Sequence, residues 1–110
     1  VAAWDGVVSE RVVGDWDDVW PALIVAGKSG EVGLLEEREA RVEQGREVRE
    51  WVFVTVRDEE MVARATRAAG MASGEILLET IGGDEVVARR VARAWAERVG
   101  ALAGREWAPK

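Results

Sequence analysis

The chain has no cysteine and no histidine. Without thiols there is no disulfide, no thiolate nucleophile and no cysteine-ligated zinc site. Without imidazole, the usual general base and the commonest metal ligand are both missing. Ser9, Ser29 and Ser73 therefore have no histidine partner for a hydrolytic triad. Tyrosine and asparagine are absent as well, and there are only two prolines and one phenylalanine. Positive charge is short: 15 basic against 21 acidic residues give a net charge of −6. Phosphate recognition needs a basic surface, so no nucleic-acid partner is expected. The same balance disfavours an anionic membrane surface. The apolar run Pro21 to Ala26 is far shorter than the roughly 20 residues a spanning helix needs, so no membrane partner is expected. The first ten residues hold Asp5 and Glu10 and no basic residue. No secretory leader is read there, and a cytoplasmic location is the default expectation.

What is present describes a globular chain. Of 110 residues, 48% are hydrophobic and 33% charged, which suits one domain with a real core. That domain is expected over 1–104, with 105–110 as a tail. The basic residues are almost all arginine, and there are six tryptophans. This bias fits a GC-rich bacterial coding sequence, and equally a designed or simplified one.

The organising stretch is Glu31 to Arg57, read as a long β-hairpin turning at Gly45. In its second arm Val48, Val52, Val54 and Val56 share one face with Glu50, while Trp51, Phe53 and Thr55 occupy the other. Two registers compete. A two-residue turn at Gln44-Gly45 sets Val42 opposite Glu47. A three-residue loop, Gln44-Gly45-Arg46, sets Val42 opposite Val48 and Leu34 opposite Val56. The second gathers the valines and Leu34 on one face, and it is the expected register, with a glycine bulge. Glu36 to Glu39 would form a solvated edge or a bulge.

Around the hairpin, Val7 to Val13 reads as a strand ended by Gly14. Asp15, Asp17 and Asp18 are helix caps, and Pro21 places the start of a short apolar helix near Asp17 or Asp18. Val19, Leu23 and Ala26 share its face, and Gly27 and Gly30 stop it. Asp58-Glu59-Glu60 opens a predicted second helix whose stripe is Met61, Val62, Ala65 and Ala69, closed by Gly70. Glu75 to Ile81 is a strand, Gly82-Gly83 a turn, and Asp84 the cap of a last helix to about Leu102. There Val87, Val91, Trp95 and Val99 recur every fourth residue beside Ala88, Ala92 and Ala96. The order β-α-β-β-α-β-α predicts an α+β fold on the ferredoxin-like βαββαβ plan, with a long central hairpin and an extra C-terminal helix.

Motifs of chemistry are sparse. Gly27-Lys28-Ser29-Gly30 resembles the end of a P-loop, but the glycine required five places earlier is Ala22, and the tetrapeptide closes a helix instead of opening one. Asp15, Asp17 and Asp18 could gather a hard cation, but they lack EF-hand spacing and read better as caps. No cofactor, metal site or catalytic residue is assigned. Gly14 to Trp51 resembles the start of PATAN modules, which accompany bacterial response regulators. The matching pieces are the apolar helix, then Lys28-Ser29-Gly30-Glu31-Val32, then Arg41-Val42-Glu43-Gln44-Gly45-Arg46-Glu47-Val48, with Ser73-Gly74-Glu75-Ile76-Leu77 for a later strand. Gln44 stands where that family usually has an acid, and Phe53 to Arg57 continue a strand where its helix would begin. The resemblance implies a small protein-interaction module without catalysis.

The residues point the same way. Tryptophan with arginine nearby is characteristic of interface anchors, although core packing explains tryptophan too. The expectation is a non-catalytic protein-interaction module that self-associates as a homodimer through an apolar sheet face or the Trp-bearing helix. Trp16, Trp20, Ile24, Trp51 and Phe53 are its candidate contacts. Two alternatives stand: a small-molecule binder or enzyme using buried carboxylates such as Glu36, Glu50 or Glu79 on a concave sheet, and a designed scaffold with no biological role.

Overall fold

Alternation of side chains, more than any single propensity, builds this molecule. The computed structural model describes residues 4–107. Strands β1 (Val7–Asp15), β2 (Gly33–Glu37), β3 (Arg41–Glu43), β4 (Arg46–Val54), β5 (Glu60–Ala68) and β6 (Ser73–Ile81) form one six-stranded sheet. Helices α1 (Val19–Ser29) and α2 (Glu85–Trp107) pack on it. The spatial order is β1-β6-β5-β4-β2, with β3 also pairing with β4. Every pairing is antiparallel. The fold is α+β, as expected. The strand order differs from the ferredoxin-like plan, whose split βαβ units require parallel strands.

The main departure is β5. The segment expected to be the second helix is a nine-residue strand, Glu60–Ala68. Its helix formers are overruled by pairing on both sides, Val52↔Val62 with β4 and Val62↔Ile81 with β6. Met61, Ala63 and Ala65 are fully buried, while Val62 and Arg64 between them are half-buried. That is the period of a strand.

The hairpin forms, but in the other register. Arg41 faces Val48, Val42 faces Glu47 and Glu43 faces Arg46. This leaves a two-residue turn at Gln44-Gly45, with φ of 51° and 74°. Positive φ at both central residues matches the twist of a hairpin. The expected three-residue loop would have aligned Val42 with the valines of β4. Val42 instead lies 65% exposed, because in this register it opposes Glu47 and sits on the face away from Val48, Val52 and Val54. A register shift between Leu34 and Glu36 and irregular backbone over 38–40 break the first arm.

The helices lie on one face of the sheet. Their core joins Val19, Ala22, Leu23 and Ala26 of α1 and Ala88, Val91, Ala92, Trp95 and Val99 of α2 to Trp51 and Phe53 of β4 and Ile76 and Leu78 of β6. The α2 stripe and the Val19, Leu23 and Ala26 face of α1 are those read from the sequence; Ala22, Ile76 and Leu78 join them. Asp15 accepts from the Asp17 amide at 2.8 Å. Asp84 caps α2, accepting from the Val86 and Val87 amides at 2.8 and 3.2 Å. Gly30 lets α1 end against α2: a Cβ there would lie 2.5 Å from Val91 Cγ2. The segment 105–107, expected as the start of a tail, continues α2. Residues 108–110 lie outside the described part of the chain.

Candidate interaction surface

The two helices cover only one side, so among the described residues the other side of the sheet is framed by strands and their connections. Directly opposed residues of an antiparallel ladder share a face. Val7 opposes Ile81, Ile81 opposes Val62 and Val62 opposes Val52. A row of four β-branched side chains therefore crosses β1, β6, β5 and β4 on the helix-free face. Val52 is buried, Ile81 and Val62 are half-buried, and Val7 is 51% exposed. Alternation along each strand makes this row inevitable once the opposite set has gone to the helices.

The next row is charged. Ser9 opposes Glu79, Glu79 opposes Arg64 and Arg64 opposes Glu50. Glu50 is only 6% exposed. It accepts a hydrogen bond from Arg41 at 2.6 Å, with Arg38 and Arg64 each 3.7 Å away. Arg64 donates in turn to Glu79 at 2.9 Å, and Arg41 also pairs with Glu43. Burial works to raise the Glu50 pKa. The Arg41 hydrogen bond and the charges of Arg41, Arg38 and Arg64 outweigh it and hold the carboxyl below its ordinary range. Arg64 is pushed further towards its charged form by its hydrogen bond to Glu79.

This decides what the carboxylates named from the sequence can do. Glu50 and Glu79 are brought together by Arg64, while Glu36 sits exposed on β2. Glu50, held in its ionised form by arginines, is a poor proton donor, since acid catalysis calls for a raised pKa. The cluster serves to satisfy a buried charge. The Asp15, Asp17 and Asp18 group behaves differently. Burial first, then Asp15 and Asp17, push Asp18 up. Among the described residues no three acidic side chains gather at metal-ligand spacing.

The candidate contact residues are placed as follows. Trp51 is fully buried and Phe53 is 3% exposed, both on the helix side of β4. Trp51 stacks on Trp20 at 5.5 Å and meets Trp95 edge-on at 6.2 Å. Its indole N–H donates to Glu37 at 2.9 Å. Trp16 is 7% exposed, with the Arg67 guanidinium 4.7 Å above its ring. Trp20 is half-buried, and Ile24 is 39% exposed beside Val25 on α1. Core packing thus accounts for Trp16, Trp51 and Phe53, because the helices chose the aromatic face of β4 over the valine face. The sequence reading missed Val7, Val62 and Ile81 as a single row, since it depends on the pairing of strands far apart in the chain.

The two edges of the sheet differ. The β2–β3 edge is short and interrupted. β1 pairs with β6 over nine residues without a shift, and among the described residues no strand occupies its outer side. Between β1 and α2 runs a groove of about 520 Å3 whose border includes Val8, Glu10, Arg89, Arg90, Arg93 and Glu97. No helix among the described residues is long and apolar enough to cross a membrane. Comparison with protein-family models, curated proteins and solved structures finds no match for the chain.

Proposed function

We propose that this chain is a small non-catalytic protein-interaction module that associates with a second copy of itself, with the sheet as its contact element. The observation that carries the reading is the valine and isoleucine row on a face that no helix among the described residues covers. The row runs from buried Val52 through half-buried Val62 and Ile81 to exposed Val7, beside the polar row of Ser9, Glu79, Arg64 and Glu50, so its apolar character reaches the surface at the β1 end, where a partner would meet it. The burial of Trp16, Trp51 and Phe53 moves the contact away from the aromatic residues and onto the strands.

Light scattering on the full chain across a concentration series tests this. A species of twice the 12.0 kDa chain mass is expected by roughly 0.5 mM, where even associations near −5 kcal/mol are populated. A strictly monomeric chain across that range refutes the proposal.

A further inference from the structure

Building on that reading, we propose that the second copy joins at the outer edge of β1, in an antiparallel register centred on Glu10, so that two six-stranded sheets become one continuous sheet. Long, regular edge strands without proline or bulges are templates for further pairing. β1 is such a strand, whereas the opposite edge carries a register shift and a break.

The register follows from which backbone groups are free. The Gly82 amide donates to the Gly6 carbonyl at 3.0 Å, and the Trp16 amide donates to Ala72 at 2.8 Å. The even-numbered residues of β1 therefore turn their hydrogen-bonding groups towards β6, and Val7, Ser9, Arg11 and Val13 turn theirs outward. A two-fold axis perpendicular to the sheet must pair odd residues with odd. Centred on Glu10, it sets Ser9 against Arg11 of the second copy and Val7 against Val13. Val7 and Val13 are 51% and 70% exposed, lie on the same face and are equidistant from the axis. Each therefore covers the other, twice. Centring on Arg11 instead would set Val7 against Asp15 and Arg11 against its own copy.

One feature of the chosen register is adverse: Glu10 meets its symmetry mate, and like charges directly opposed repel. Glu10 borders the same groove as Arg89, Arg90, Arg93 and Glu97 of α2, where the arginines outnumber the second carboxylate three to one. Joining two copies brings both arginine sets beside the two carboxylates and offsets the repulsion.

The test is Ser9→Pro in the full chain. Proline removes an amide that points outward and leaves the β1–β6 ladder intact. Light scattering should show the association constant falling roughly 30-fold or more, since one bond is lost on each side of the axis. The circular dichroism spectrum should not change. Amide exchange should show Ser9, Arg11 and Val13 protected in the wild-type dimer. Val13→Glu is a second variant at an exposed position and should dissociate the dimer in the same way, so a misfolded proline variant leaves the test intact. Dimers that persist in a folded Ser9→Pro and in Val13→Glu, or free exchange of those amides, overturn the edge assignment. If Val62→Lys then abolishes those dimers, self-association stands and belongs to the helix-free face. A wild-type chain that never dimerises overturns both proposals.

Discussion

Replacing Glu50 by glutamine tests the account of the charged row most directly. Glu50 is 6% exposed and accepts one charge-assisted hydrogen bond, from Arg41 at 2.6 Å. Bonds of that kind contribute about 1.5–3 kcal/mol. Arg38 and Arg64, at 3.7 Å with side chains 47% and 32% exposed, act through screened charge and add a few tenths each. Removing one partner of a buried pair costs about 3–5 kcal/mol when the other is stranded. Here nothing is stranded, because Arg41 keeps Glu43 and Arg64 keeps Glu79. The expected loss is therefore about 2 kcal/mol, roughly 8 °C in melting temperature. Urea unfolding followed by tryptophan fluorescence suits the measurement, since Trp51 and Trp95 are fully buried. The pH dependence is a second check. The folded-state pKa of Glu50 lies below its ordinary value of 4.5. Its contribution is complete above that value and is lost as pH falls through the folded pKa. The gap between wild type and Glu50→Gln should thus be constant above about pH 5.5 and close as the pH drops below 4.5. A loss under about 0.5 kcal/mol, or a gap that does not close in acid, would refute the reasoning.

Trp95→Phe removes the indole donor that bonds the Val19 carbonyl at 3.0 Å in the core, and should cost about 2–4 kcal/mol in chemical denaturation. Gly30→Ala forces a methyl to within 2.5 Å of the fully buried Val91. With φ at −87° the backbone itself is unstrained, so the expected loss of about 1–3 kcal/mol is steric; an unchanged melting temperature would show that the helices can separate there at no cost. Asp84→Ala deletes the acceptor for the Val86 and Val87 amides, and should lower stability by about 1 kcal/mol, with extra amide exchange confined to the first turn of α2.

Elements that carry their own periodicity were legible from the sequence. The fourfold spacing of Val87, Val91, Trp95 and Val99 marks α2, the alternation of valine with Trp51 and Phe53 marks β4, and the glycines that bound Val7–Val13 and Glu75–Ile81 mark β1 and β6. β5 was not legible, because Glu60–Ala68 is rich in alanine and arginine and opens with acids, all of which favour a helix. Its strand form is dictated by β4 and β6, whose pairing capacity is not written in the segment itself. The hairpin turn was visible in Gly45, but its register depended on whether Val42 would join the valines of β4, and the two-residue turn sets it against Glu47 instead. Both faces of β4 are apolar, so which one the helices would take could not be ranked from that strand alone. That choice decided the fate of Trp51 and Phe53. Glu50 stood out as a lone acid among valines, and its arginine partners Arg38 and Arg41 lie in the facing arm. Arg64 comes from β5 and was invisible while that strand was read as a helix.

The pairing of β1 with β6 has a consequence for how the chain comes together. β4, β5 and β6 are consecutive and can zip as a meander, but β1 must wait for Ser73, the partner of Asp15, before its ladder can start, and for Ile81 before it is complete. α2, which packs over β1, is later still in the chain. Closure is therefore a long-range event, slow by comparison with the local hairpins. During translation the first strand trails from the ribosome with valines on both sides and no neighbour. In that interval the β6 of another copy would present the same register to it, so this topology leaves β1 open to exchange between chains.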